Sequence, residues 1–145
     1  MNILFIHSVA VAVSESKPLD TPEDMQFGIS YISSYLREHG HHTKLIVLSR
    51  VSGGKNRIIV DEYLKRFHPK LICFHTISTE YQFIATLAKY IKGRYPRIFL
   101  LVGGPHTSLN PNEVIMGDFD ALCIGEGEHP VLELVSQLEK GMQLR

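Results

Sequence analysis

A three-layer, doubly wound α/β domain built on a five-stranded parallel sheet is the fold this sequence predicts, and three observations predict it. Five short apolar runs alternate along the chain with stretches whose apolar residues recur at helical spacing. The apolar runs are continuous rather than alternating, as expected of strands buried on both faces. Two of them end in glycine turns: Ile98-Phe99-Leu100-Leu101-Val102 before Gly103-Gly104-Pro105-His106, and Ala121-Leu122-Cys123-Ile124 before Gly125-Glu126-Gly127-Glu128. Right-handed crossovers between parallel strands then place helices on both faces of the sheet.

The first strand is Ile3 to Ile6. A loop from about His7 to Asp24 follows, longer than most strand-to-helix connections and so a functional candidate. Thr21-Pro22-Glu23-Asp24 has the makings of a helix start, with a hydroxyl cap, proline at the first helical position and early acids. The helix carries a broad stripe of Phe27, Ile29, Tyr31, Ile32, Tyr35 and Leu36, and Gly40 stops it. Leu45 to Leu48 is the second strand. Ser52-Gly53-Gly54 breaks the chain before a helix containing Ile58, Ile59, Tyr63 and Leu64, and Leu71 to Phe74 is the third strand. Ser78 or Thr79 is placed to cap a helix whose face includes Phe83, Ile84, Leu87, Ala88 and Ile91. After the fourth strand, Ile98 to Val102, a short helical piece is expected near Asn112 to Met116. The fifth strand is Ala121 to Ile124, and a last helix carries Val131, Leu132, Leu134, Val135 and Leu138.

At 145 residues the chain is one domain's length, taken as a single unit over 1–145. Fifteen basic residues balance fifteen acidic ones, so no net charge steers it toward nucleic acid or an anionic membrane. No window has the apolar length of a membrane span, and the first residues lack the charged start of a signal peptide. Cys73 and Cys123 lie apart in apolar runs and make neither a disulfide framework nor a zinc motif. A reducing, cytoplasmic location follows as the expectation.

No G-x-G-x-x-G follows the first strand and no G-x-x-x-x-G-K-[ST] occurs, which argues against dinucleotide and Walker-type phosphate sites. A receiver domain would place acids after the first strand and an aspartate after the third, where this chain has His7-Ser8 and His75-Thr76. That chemistry is absent.

The loops at the strand C-termini should form the site, as in other open α/β sheets. Four histidines fall there: His7, His75, His106 and His129. Imidazole is a common metal ligand, but no pair has motif spacing, so each is read as a strand-end cap and no metal or catalytic residue is assigned. Thr76, Ser78 and Thr79 either cap a helix or donate to a buried ligand. Gly103 and Gly104 let a ligand approach bare backbone. In the second turn, Glu126 could accept a ligand proton between Gly125 and Gly127, although an acidic pair makes a poor phosphate cradle.

Phe27-Gly28-Ile29-Ser30-Tyr31-Ile32-Ser33-Ser34-Tyr35-Leu36-Arg37 resembles the first helix of the cobalamin-binding domains that precede radical S-adenosylmethionine domains. Val102 to Thr107, and Ile124 to Glu128 with Asp120 before it, match two further signatures in order along the chain. The resemblance implies a flavodoxin-like, Rossmann-like sheet whose C-terminal edge holds cobalamin, with the nucleotide tail inserted beside the sheet. It implies His75, Thr76, Ser78, Thr79, Gly103, Gly104, Pro105, His106, Gly125, Glu126 and Gly127 as cofactor-binding positions.

Two departures shape the expectation. The D-x-H-x-x-G motif, whose histidine ligates cobalt in methionine-synthase-like domains, is absent, so no histidine ligand is expected, His7 and His75 being the alternatives. The C-x-x-x-C-x-x-C motif of the 4Fe-4S cluster is absent too, so the cluster and S-adenosylmethionine would belong to a C-terminal radical domain, in cis or in trans. The resemblance thus implies a cobalamin-binding module of an enzyme for methyl transfer or radical rearrangement or cyclisation. The alternatives are a non-binding scaffold domain and a stand-alone flavodoxin-like nucleotide-binding protein or enzyme.

Overall fold

The computed structural model describes residues 1–11 and 26–141. The expected helix start at Thr21-Pro22-Glu23-Asp24 lies outside them. Five strands form one sheet in the order β2-β1-β3-β4-β5, and every neighbouring pair is parallel. The strands are β1 (Asn2–Val9), β2 (His42–Ser49), β3 (Leu71–His75), β4 (Phe99–Gly103) and β5 (Ala121–Leu122). The helices are α1 (Phe27–Glu38), α2 (Lys55–Phe67), α3 (Tyr81–Arg94), α4 (Pro105–Leu109), α5 (Pro111–Val114) and α6 (Glu128–Glu139). This is the expected doubly wound flavodoxin-like sheet.

Period-two alternation sorts the strand residues onto two faces. Leu4, Ile6, Ile72, Phe74, Leu100 and Val102 turn toward α2 and α3, where Val60, Leu64, Ile84, Ala88 and Ile91 close over them. Ile3, Phe5, Leu71, Cys73 and Leu101 turn the other way, toward Ile29 and Leu36 of α1 and Val131 and Val135 of α6. Tyr35 of α1 and His129 of α6 join those two helices through Tyr35 Oη and His129 Nδ1, 3.0 Å apart.

Several boundaries differ from the sequence reading for physical reasons. β1 continues through His7 and Ser8 to Val9, because a paired β2 strand runs alongside it, Val9 against Ser49. β5 stops at Leu122, and Ile124 is exposed on the way into the glycine turn. The helical piece after β4 is two short helices, α4 and α5, each with a proline in its first turn. The buried face of α2 is Asn56, Val60 and Leu64, spaced by four, and Ile58 and Tyr63 are exposed. In α1 the buried face narrows to Ile29 and Leu36 with Ile32 packed beside them, while Phe27 and Tyr31 are exposed. The position before α3 is Glu80, with no side-chain cap bond, and Ser78 bonds elsewhere.

Candidate functional site

A groove of about 330 Å³ opens between the sheet, α1 and α6 at the C-terminal ends of the strands. Its apolar walls are Phe5, Ile29, Ile32, Leu101 and Val131. Small residues make the space: Gly28 on α1, Cys73 on β3, Gly103 and Gly104 at the end of β4, and Cys123, Gly125 and Gly127 after β5. His75, Pro105, Ser108, Glu126 and Glu128 complete its rim.

The glycines serve different purposes. Gly104 has φ of +105°, and a Cβ there would stand 2.6 Å from the Thr76 carbonyl oxygen. Only glycine takes that conformation without strain, and only glycine lets β3 and the β4 turn come so close. A Cβ at Gly127 would stand 2.5 Å from the Cδ1 end of Ile32, which would have to turn aside to admit it. Gly28 and Gly125, by contrast, have open space around the Cβ position, and Gly125 also supplies the φ of +77° that its turn requires. These last two leave volume in the groove.

Hydrogen bonds fix the two turns. The Thr76 amide and hydroxyl both donate to the Gly103 carbonyl, at 2.9 and 3.0 Å, and the His106 amide donates to the Thr76 carbonyl. Gly125 donates its amide to Ser108 Oγ at 3.1 Å, tying the second turn to α4. Asp120 anchors the strand between them. Its carboxylate accepts the Leu100 amide at 2.8 Å and pairs with Lys92, while its own amide donates to the Leu100 carbonyl.

Of the residues expected at the cofactor, the structure brings His75, Gly103, Gly104, Pro105, Gly125, Glu126 and Gly127 together on the groove. It places Thr76, Ser78 and His106 away from the groove wall. Thr76 follows His75 by one residue and so turns to the opposite face, where its hydroxyl meets Thr107 Oγ1 at 3.0 Å. Ser78 Oγ lies 3.1 Å from His106 Nδ1, and the imidazole stacks on Tyr81 of α3. Thr79 is exposed in the turn before α3. Phe5 and the two cysteines are groove residues for which the sequence offered no functional signal beyond their apolar or small character, while Gly28 and Ile32 belong to the first-helix stretch that carries the resemblance and had no site role assigned.

Burial governs the titration of the groove. It pushes the Cys73 thiol far up, with Cys123 adding to the effect. The Cys123 thiol is also raised, first by burial and then by Glu128 and Glu126. Burial lowers the His75 imidazole, which favours its neutral form. Beside His75 lies a second polar cluster: His7, whose ring centroid is 5.7 Å away, and Glu80. Burial raises the Glu80 carboxyl, while Arg50 opposes that rise through an ion pair at 3.0 Å.

Comparison with known proteins decides the family. A family model described as a B12 binding domain matches residues 24–135. The chain belongs to the B12-binding domain family. An uncharacterized methyltransferase of Pyrococcus horikoshii is 30% identical over 121 residues, which is 81% of this chain and 26% of that protein. The B12-binding domain therefore spans about a quarter of that relative's length. Among solved structures, the Salmonella typhimurium RcsB response regulator superposes with a TM-score of 0.59 at 14% identity, covering 100% of this chain and 62% of that one. That likeness is one of fold alone, and the B12-binding domain has His7-Ser8 and His75-Thr76 where a receiver needs acids. Among the described residues, no helix is long and apolar enough to cross a membrane.

Proposed function

We propose that this chain is the cobalamin-binding module of a larger or assembled enzyme, and that the groove between the sheet, α1 and α6 takes the cofactor's nucleotide tail. The carrying observation is the groove itself: a slot at the strand C-termini with apolar walls and small residues where strands and helices would otherwise meet. Phe5, Ile32, Leu101 and Val131 would give the tail's flat aromatic base an apolar surface. Gly103 and Gly104 keep the β4 end free of side chains along the tail's path, and His75, Ser108 and Glu126 offer polar atoms at the mouth.

Cobalamin, when bound, supplies methyl-transfer or radical chemistry at its cobalt. The chain's part is to hold and orient: the stapled turns at Thr76–Gly103 and Ser108–Gly125 are fixed before a ligand arrives, which reduces the ordering cost of binding. The methyltransferase name of the Pyrococcus relative favours methyl transfer, and the sequence resemblance favours a cobalamin-dependent radical S-adenosylmethionine enzyme as the parent. The 4Fe-4S cluster and S-adenosylmethionine would then be held by a separate catalytic domain, since Cys73 and Cys123 sit in the groove and far apart in sequence.

The test is titration of the purified chain with hydroxocobalamin, then desalting and an absorbance spectrum. Retention of one equivalent, lost when Gly28→Trp fills the groove of a folded protein, supports the reading. A folded chain that retains no corrinoid, alone or with its catalytic domain supplied, overturns it in favour of a scaffold.

A further inference from the structure

We propose that His7, His75 and Glu80 form a binding site for one divalent transition-metal ion of the zinc(II) or iron(II) class. The site shares His75 with the rim of the groove, and its metal would bind without the cofactor present. One ligand atom from each residue lies within 4.8 Å of the other two. The two imidazoles come from the neighbouring parallel strands β1 and β3, one step beyond the Ile6–Phe74 pair, His75 ending β3 and His7 lying two residues before the end of β1. Alternation puts both on the face of Phe5 and Cys73, and their rings meet edge-on at 75°. Glu80 enters from the residue preceding α3. The imidazoles are thus held by strands, and Glu80 by a hydrogen-bonded turn, its amide donating to the Ile77 carbonyl at 3.0 Å.

Burial and unmet polarity point the same way. His7 is 3% exposed and Glu80 is 4% exposed. Arg50 explains only half of Glu80: it pairs with Oε1 while bonding Ser8 Oγ at 3.0 Å. Glu80 Oε2 is buried with no hydrogen-bond partner among the described residues, and so is His75 Nδ1. A cation between them would satisfy both. Arg50 then acts from the outer shell, fixing the carboxylate's orientation as a hydrogen-bonded partner does in other metal sites.

Two imidazoles and one carboxylate are the donor set of open zinc and non-haem iron(II) sites. Ligand distances of about 2.1 Å require the donor atoms to close to roughly 3.4 Å, a shift that side-chain rotation supplies. The remaining coordination position is left for water, on the side where half-buried His75 borders the groove.

The test uses the full chain, free of corrinoid and stripped with chelator. Zinc(II) is titrated by calorimetry, and cobalt(II) is titrated by its visible absorption. We expect one equivalent bound, with affinity at least tenfold weaker in His75→Ala and in Glu80→Gln and unchanged in His42→Ala on the surface. Zinc-edge X-ray absorption of the wild-type protein should show two imidazoles, which tests the site even if a variant fails to fold. Absence of binding by the folded chain, unchanged affinity in both folded variants, or a spectrum without two imidazoles overturns the proposal. Corrinoid retention is read in a different experiment, so either proposal can fail alone.

Discussion

The two faces of the sheet are built from the same strands, yet one is closed and the other holds a groove. On the α2/α3 face the strands present Ile6, Leu48, Ile72, Phe74 and Val102, all buried, and α3 closes them with Ile84, Ala88 and Ile91. On the α1/α6 face the large residues Ile3 and Leu71 lie toward the N-terminal ends of β1 and β3, while Cys73 and Gly103 leave space nearer the rim, where His75 stands beyond Cys73. The helices continue this trend with Gly28 and Gly127 near their N-termini. The contrast shows that a binding groove in a doubly wound sheet needs no special strand. It needs small residues at one end of one face.

Truncation should expose the difference most strongly. Ile84→Ala on the closed face should cost about 2–5 kcal/mol, because a fully buried side chain leaves a cavity. Ile32→Ala on the groove wall should cost roughly 1 kcal/mol, since its space already opens to solvent. Urea unfolding of both variants checks this, and equal costs would break the distinction between the faces.

Gly104→Ala comes next. Its φ of +105° and the 2.6 Å approach to Thr76 should together cost about 1–3 kcal/mol or more, seen as a lower urea midpoint. Corrinoid retention should fall with it, because the turn and not only the groove is disturbed. Gly28→Trp separates the two roles. Open space at its Cβ position predicts a smaller loss of stability than Gly104→Ala causes, alongside loss of corrinoid retention.

The smallest effect is chemical. Both groove thiols are raised, so their thiolates form only above the ordinary value of about 8.5. Alkylation by iodoacetamide should therefore be slow at pH 7 and accelerate as pH rises, at half-buried Cys123 before buried Cys73. Mass spectrometry of the labelled sites reads the order, and bound corrinoid should slow Cys123 further. Rapid labelling of Cys73 in the folded protein would show that the groove floor is open.

Much of this was legible in the chain. Five apolar runs, helical stretches between them and glycine turns after the fourth and fifth runs were enough for the doubly wound sheet, and they placed Gly103, Gly104, Gly125 and Gly127 at one rim. Asp120 was visible only as part of a signature. The structure gives it a task, holding the Leu100 amide and Lys92 where β5 meets β4. Thr76 and Ser78 shared the rim with the glycines in sequence but turned to the closed face, where Thr107 and His106 bind them.

The sequence by itself determined the alternation of elements, the layers and the end of the sheet that carries the site, because buried strands, amphipathic helices and glycine turns are local patterns. Tertiary structure decided which face opens and which distant residues meet. A parallel strand buried on both sides is apolar at every position, so its period of two is silent about the face that will hold a groove. Only the packing of α1 and α6 makes Cys73 and Gly103 a floor while Phe74 and Val102 stay in the core. Likewise His7, His75 and Glu80 converge because β1 and β3 are neighbours in the sheet, a pairing between distant segments that no spacing along the chain records.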